Sequence, residues 1–212
     1  MTASRRIWDI SQRLHAGTPM WPGEPEFALQ GRAAIGPDCP VNVSVVAMSA
    51  HAGTHADAPL HYAKDGADCA DAGLDAYIGP CVVADVRHAN DRVELDDVDW
   101  PALGGVERVL FRTYQSFPHA AWDSTFTAIS AEVIARLHAM GVRLIGTDAA
   151  SLDPETSKTM DAHRAVMAAD MRILEGLVLD DVPTGRYELI ALPLPIVGGD
   201  ASPVRAVLRA LA

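Results

Sequence analysis

Three histidines and an aspartate fall within eleven residues, His51-Ala-Gly-Thr-His55-Ala-Asp57-Ala-Pro-Leu-His61, with no long charged side chain among them. Imidazole nitrogens and carboxylate oxygens are ligands for a divalent ion of the zinc type. Two imidazoles and one carboxylate leave coordination open for water, and a carboxylate has an oxygen to offer a second ion. Any one of these residues alone would read as a solvated or hydrogen-bonded loop side chain, with Asp57 as a turn acceptor. Their density favours metal binding.

Spacing limits the geometry. On an extended strand, positions 51, 55, 57 and 61 share a face, but the first and last lie about 33 Å apart at about 3.3 Å per residue, too far for one ion. His51 and His55 also fit neighbouring turns of a helix, which Gly53, β-branched Thr54 and Pro59 all oppose. The spacing therefore predicts a strand end running into a curled loop. Gly53 permits close backbone approach there, Asp57 turns back towards the histidines, and His61 stands further off.

His163 and Glu175 form a second point of interest. Glu175 interrupts the apolar runs Ile173-Leu174 and Leu177-Val178-Leu179. A carboxylate buried there needs a partner or a cation, whereas on an exposed strand it needs neither. Trp21 lies in Thr18-Pro-Met-Trp-Pro-Gly-Glu-Pro, whose prolines and glycine dictate a loop. On sequence grounds alone such a tryptophan covers a core edge.

The elements that must carry these residues follow from apolar periodicity. Residues 41–49, rich in valine, read as a buried strand delivering the chain to His51. Further strands are expected at 6–11, 77–87, 106–114, 142–147, 173–179 and 204–211. Residues 187–197 read as an edge or bulged strand because Pro193 and Pro195 cannot donate to a ladder. Ser130 caps a helix with Val133, Ile134 and Leu137 as its apolar stripe and Gly141 as its stop. Residues 160–171 have helical composition, 96–103 suggest a helical turn, and 64–73 read as irregular surface chain. The strand, helix and strand around Ser130 imply a parallel pair in the sheet. His138, Asp161 and Asp170 read as surface or capping residues. The expected fold class is α/β or mixed α+β with a central mixed β-sheet. At 212 residues, 49% hydrophobic and without a linker, residues 1–212 suit one domain with one substantial core.

Composition removes other classes. A net charge of −11 argues against a protein that grips a nucleic-acid backbone. No run approaches the roughly 20 apolar residues of a membrane span, and no leader-like stretch follows the N-terminus, so a soluble, cytoplasmic protein is expected. Cys39, Cys69 and Cys81 are odd in number and lack CxxC spacing, which suggests reduced thiols. There is no G-x-S-x-G elbow, phosphate-binding loop or dinucleotide turn. Metal-assisted hydrolysis remains.

The segment HAGTHADAPLH resembles the HxGTHxDxPxH signature of the cyclase-family metal hydrolases, and the likeness runs from Trp8 almost to the C-terminus. Within that family, the stretches SLDPETSKTMDAH and ILEGLVLDDVPTGRYELIALPLPIVGGDASPVRAVL resemble the bacterial kynurenine formamidases. The resemblance implies a swivelling β/β/α-type fold, a homodimer, and two divalent ions per chain, with zinc the family expectation. It pairs His51, His55 and Asp57 around one ion and Asp57, His163 and Glu175 around the other. It assigns Trp21 to substrate contact, and His61, close to the ions but off them, is read as the group that moves a proton. The implied reaction is hydrolysis of N-formyl-L-kynurenine to L-kynurenine and formate in tryptophan breakdown. Left open are a relative acting on another amide or a lactam such as isatin, a noncatalytic metal-binding module, and a ligand or orienting role for His61.

Overall fold

The computed structural model describes residues 5–211. Positions 1–4, part of the N-terminal stretch read above as leader-free, and position 212 lie outside them.

In chain order the strands and helices are β1 (Ile7–Asp9), β2 (Ala28–Ala33), β3 (Val43–Ala47), β4 (His55–Asp57), β5 (Ile78–Asp85), β6 (Arg92–Val93), β7 (Arg108–Arg112), β8 (Ala128–Ile129), α1 (Ala131–Ala139), β9 (Leu144–Thr147), α2 (Asp161–Ala168), β10 (Arg172–Glu175), β11 (Gly185–Ile190), β12 (Ala201–Pro203) and β13 (Val207–Ala210). Nine strands make one mixed sheet in the order β1-β13-β11-β5-β7-β9-β10-β4-β12. The centre, from β5 through β7 and β9 to β10, is parallel. Both flanks are antiparallel.

Side chains alternate along the central strands and split the interior in two. Val109, Phe111, Ile145 and Ile173 face one core, shared with Val133, Ile134 and Leu137 of α1 and Val166 of α2. Leu110, Leu144 and Leu174 face the other, where they meet Ile10, Leu189 and Leu208 from the far flank. The sheet therefore curls around its second core. The chain after β1 ties the two flanks together, because Ile10 N–H donates to Ala206 O at 3.0 Å while Val178 N–H donates to Ile10 O at 2.9 Å.

The α1 expectation agrees with the structure: the Ser130 hydroxyl accepts from Val133 N–H at 3.3 Å, and Gly141 has φ +87°. Two strand expectations are corrected. Residues 43–47 do not form a buried strand, because β3 pairs only with β2 in an arm off the main sheet and Val43, Val45 and Val46 are exposed. Valine enrichment reported a pleated strand but not which surface covers it. The strand predicted at 187–197 ends at Ile190 and lies inside the sheet, between β13 and β5. Its prolines fall just beyond the last ladder pair, so they do not interrupt it.

One glycine locks the curled sheet to the histidine loop. Gly176, directly after β10, has φ +63°, and a Cβ there would lie 2.5 Å from Gly53 O. Its carbonyl accepts from the Thr54 hydroxyl at 2.6 Å, and Thr54 Oγ1 in turn accepts from Gln12 N–H at 2.8 Å. Gly176→Ala should cost about 2–4 kcal/mol, combining left-handed backbone strain with a clash against main chain. Gly105→Ala, at φ +76° with nothing within 4 Å of the added methyl, should lose only about 1 kcal/mol. Urea denaturation of the two variants measures this, and equal losses would contradict the packing role.

Candidate metal centre

The short strand β4 lies between β10 and β12, and its register sets the site. His55 is paired with Glu175, and Asp57 is paired with Ile173. Because side chains alternate, His55, Asp57 and Glu175 share the face covered by α2, while Ala56 enters the opposite core. His163, one turn into α2, is buried over them. His51 precedes β4 in a turn and His61 ends a short 3-10 turn after it. The order is therefore loop, strand and turn, with the strand following His51, rather than a strand end running into a curled loop.

The side chains converge. His51 Nδ1 lies 3.1 Å and His55 Nε2 3.4 Å from Asp57 Oδ1, and His163 Nε2 lies 3.4 Å from Asp57 Oδ2. Glu175 completes the group, with Oε2 3.4 Å from His55 Nε2 and Oε1 3.7 Å from His163 Nε2. Despite this proximity, His55 Nε2, His163 Nε2 and both Asp57 oxygens are buried without a correctly directed hydrogen bond. Four orphaned donor atoms around one volume suit a cation that all of them face.

Neighbouring groups aim the imidazoles. His55 Nδ1–H donates to Gly53 O at 2.9 Å, which leaves Nε2 to present a lone pair inward. Asp153 does the same for His163, accepting from its Nδ1 at 2.7 Å and from the His163 backbone N–H at 3.0 Å. Without a cation, charge is balanced by protons. Burial pulls His55 down, but Asp57 and Glu175 beside it outweigh this and push it up to about 10. His163 is likewise raised to about 10, burial being overcome by Asp153 and Asp57. Burial would raise Asp57, yet the three imidazoles hold it well below the usual carboxylate range. An ion binding here must displace those protons.

Two ligand groupings are geometrically available, His55-Asp57-Glu175 and His51-Asp57-His61. Neither coincides with a pairing implied by resemblance: the first joins His55 to Glu175, and the second brings in His61, whose ring lies 4.3 Å from that of His51 and is tilted against it. His61 is more exposed than the others and its Nδ1 lies 3.6 Å from Asp200 Oδ2, which also meets His51 Nε2 at 3.1 Å.

The group opens onto a cavity of about 320 Å³. Trp21 lines it, half-buried, with its ring 5.3 Å from Trp122 in an edge-to-face contact and 6.2 Å from Phe126. Sequence reasoning missed Asp153, Asp200 and the Trp122 side of this wall. The Gly-Gly step before Asp200 was a turn signal, but only the pairing of Asp57 with Ala201 shows that Asp200 meets the histidines.

The Cyclase family model matches residues 8–154. A kynurenine formamidase of Sphingopyxis alaskensis is 70% identical over 207 residues, spanning 98% of this chain and 99% of that protein. Among solved structures, one described as a potential metal-dependent hydrolase with cyclase activity is 31% identical, with a TM-score of 0.85 over 99% of this chain and 100% of that one. Isatin hydrolase A from Labrenzia aggregata is 26% identical, with a TM-score of 0.82 over 98% and 94% of the two chains. The family match covers more than half of the sequence and includes the whole histidine segment, so the chain belongs to the Cyclase family.

Proposed function

We propose that this protein hydrolyses N-formyl-L-kynurenine to L-kynurenine and formate. The observation that carries the reading is 70% identity to a kynurenine formamidase across nearly the whole of both chains. The orphaned, converging donors at the mouth of an aromatic-walled cavity supply a matching chemistry.

In this reading His51, His55 and Asp57 hold one divalent ion and Asp57, His163 and Glu175 hold a second, zinc being the expected metal. Bound there, such ions lower the pKa of water and polarise a carbonyl oxygen. The protein's own residues do the rest. Trp21 and Trp122 offer aromatic edges and faces against which an aryl ring packs, fixing the formyl carbon over the metal centre. Asp153 and the Gly53 carbonyl keep the ligating nitrogens aimed inward. His61, at the cavity and 5.9 Å from the His163 ring, is placed to move a proton from the attacking water to the departing arylamine nitrogen as the C–N bond breaks. Without that proton the amine would leave as a strongly basic anion.

The arm supports a homodimer, since a two-stranded hairpin with Leu29, Val43, Val45 and Val46 exposed is not stable on its own. A cytoplasmic location is part of the same reading; among the described residues, no helix is long and apolar enough to cross a membrane.

Two outcomes are expected. Purified enzyme should hydrolyse N-formyl-L-kynurenine with a kcat/KM far above that for isatin, and the reverse order would transfer the assignment to lactam hydrolysis. His61→Ala should keep its metal content and lose about 10²–10⁴-fold in turnover. The contact of His61 with the His51 ring favours a second reading in which His61 is itself a ligand. Loss of an ion from the His61→Ala protein, measured on the preparation used for rates, would establish that reading.

A further inference from the structure

The charge of the cavity wall carries information beyond the reaction. Six carboxylates line it, Glu24, Asp123, Asp148, Asp153, Glu155 and Glu175, and among the described residues no lysine or arginine does. Most are already occupied. Asp148 accepts from the Thr113 N–H and hydroxyl and from Tyr114 N–H. Asp123 accepts from the Thr125 N–H and hydroxyl and from the Tyr114 hydroxyl. Asp153 serves Ala162 and His163, and Glu175 accepts from Leu152 N–H while facing the metal centre.

Glu155 differs. Its Oε2 accepts from the Trp122 indole N–H at 2.6 Å, and its Oε1 has no hydrogen-bond partner among the described residues. The carboxylate is half-buried, so it is held in one orientation while keeping acceptor capacity free. Through Trp122 it is tied to the wall formed with Trp21. Glu24 also has free capacity, but it is exposed and no side-chain hydrogen bond fixes it.

Resting on the formamidase reading, we infer that Glu155 is a specificity residue that receives the ammonium group of the substrate. An aryl ring packed on the tryptophans carries its amino-acid side chain past this fixed carboxylate, where an N⁺–H donor meets Oε1 in a charge-assisted hydrogen bond. The preferred substrates are arylformamides bearing an aliphatic ammonium. A neutral lactam gains nothing from Glu155, so the same residue separates the two substrate classes.

The test compares N-formyl-L-kynurenine with its des-amino analogue, 4-(2-formamidophenyl)-4-oxobutanoate, in wild type, Glu155→Gln and Glu24→Gln. Wild type should prefer the ammonium substrate. In Glu155→Gln the ratio of kcat/KM values for the two should fall about 10- to 100-fold, through KM rather than kcat. Glu24→Gln should leave the ratio in place. Equal changes on both substrates in Glu155→Gln would show that the residue merely supports Trp122 and would overturn the inference. A selective loss in Glu24→Gln instead would also overturn it. Wild-type failure on both formamides would overturn the formamidase reading and this assignment together, whereas activity on both without preference would overturn this assignment alone.

Discussion

A carboxylate buried at 1% exposure, with neither oxygen properly hydrogen-bonded, is the constraint on which this structure depends. Placing an ionised group out of water costs about several kcal/mol even after relaxation, so Asp57 is tolerable only with compensating positive charge. Three imidazoles surround it at 3.1–3.4 Å. They can supply that charge as protonated rings, or step back to neutral ligands when a divalent ion supplies it instead.

The fold holds this arrangement by dividing labour between rigid and adjustable parts. Asp57, His55 and Glu175 stand on adjacent antiparallel strands, where register leaves no freedom. The parallel step from β9 to β10 sends the intervening chain across that face as α2, which brings His163 down onto it. Ladder-fixed residues suit chemistry that tolerates little displacement. The aromatic wall, by contrast, comes from loops around Trp21 and Trp122, which can vary in shape while the floor stays constant.

How much of this was legible in sequence depends on whether a feature is local. The spacing from His51 to His61 reads directly, since its residue types are costly without a ligand. Glu175 betrayed itself as a charge inside an apolar run, and the structure gives the reason in its burial against His55 and His163. Which carboxylate meets which histidine was not legible, because the β4–β10 register pairs residues far apart in sequence, His55 with Glu175. The valines of β3 misled for a related reason: strand propensity does not say whether the covering surface belongs to this chain. Asp153, Asp200 and Glu155 carry no distinguishing pattern and gain their roles only by convergence.

Asp57 is the one residue shared by both proposed ligand sets, so two divalent ions, if held as proposed, would both depend on it. Metal content and turnover should be measured together as apo protein is reconstituted with zinc. Activity should reach its maximum at two ions per chain, and Asp57→Asn, which keeps the shape but loses the bridging charge, should bind fewer and lose nearly all turnover. Full activity at one ion or fewer, or an Asp57→Asn protein that retains two ions, would contradict that shared dependence.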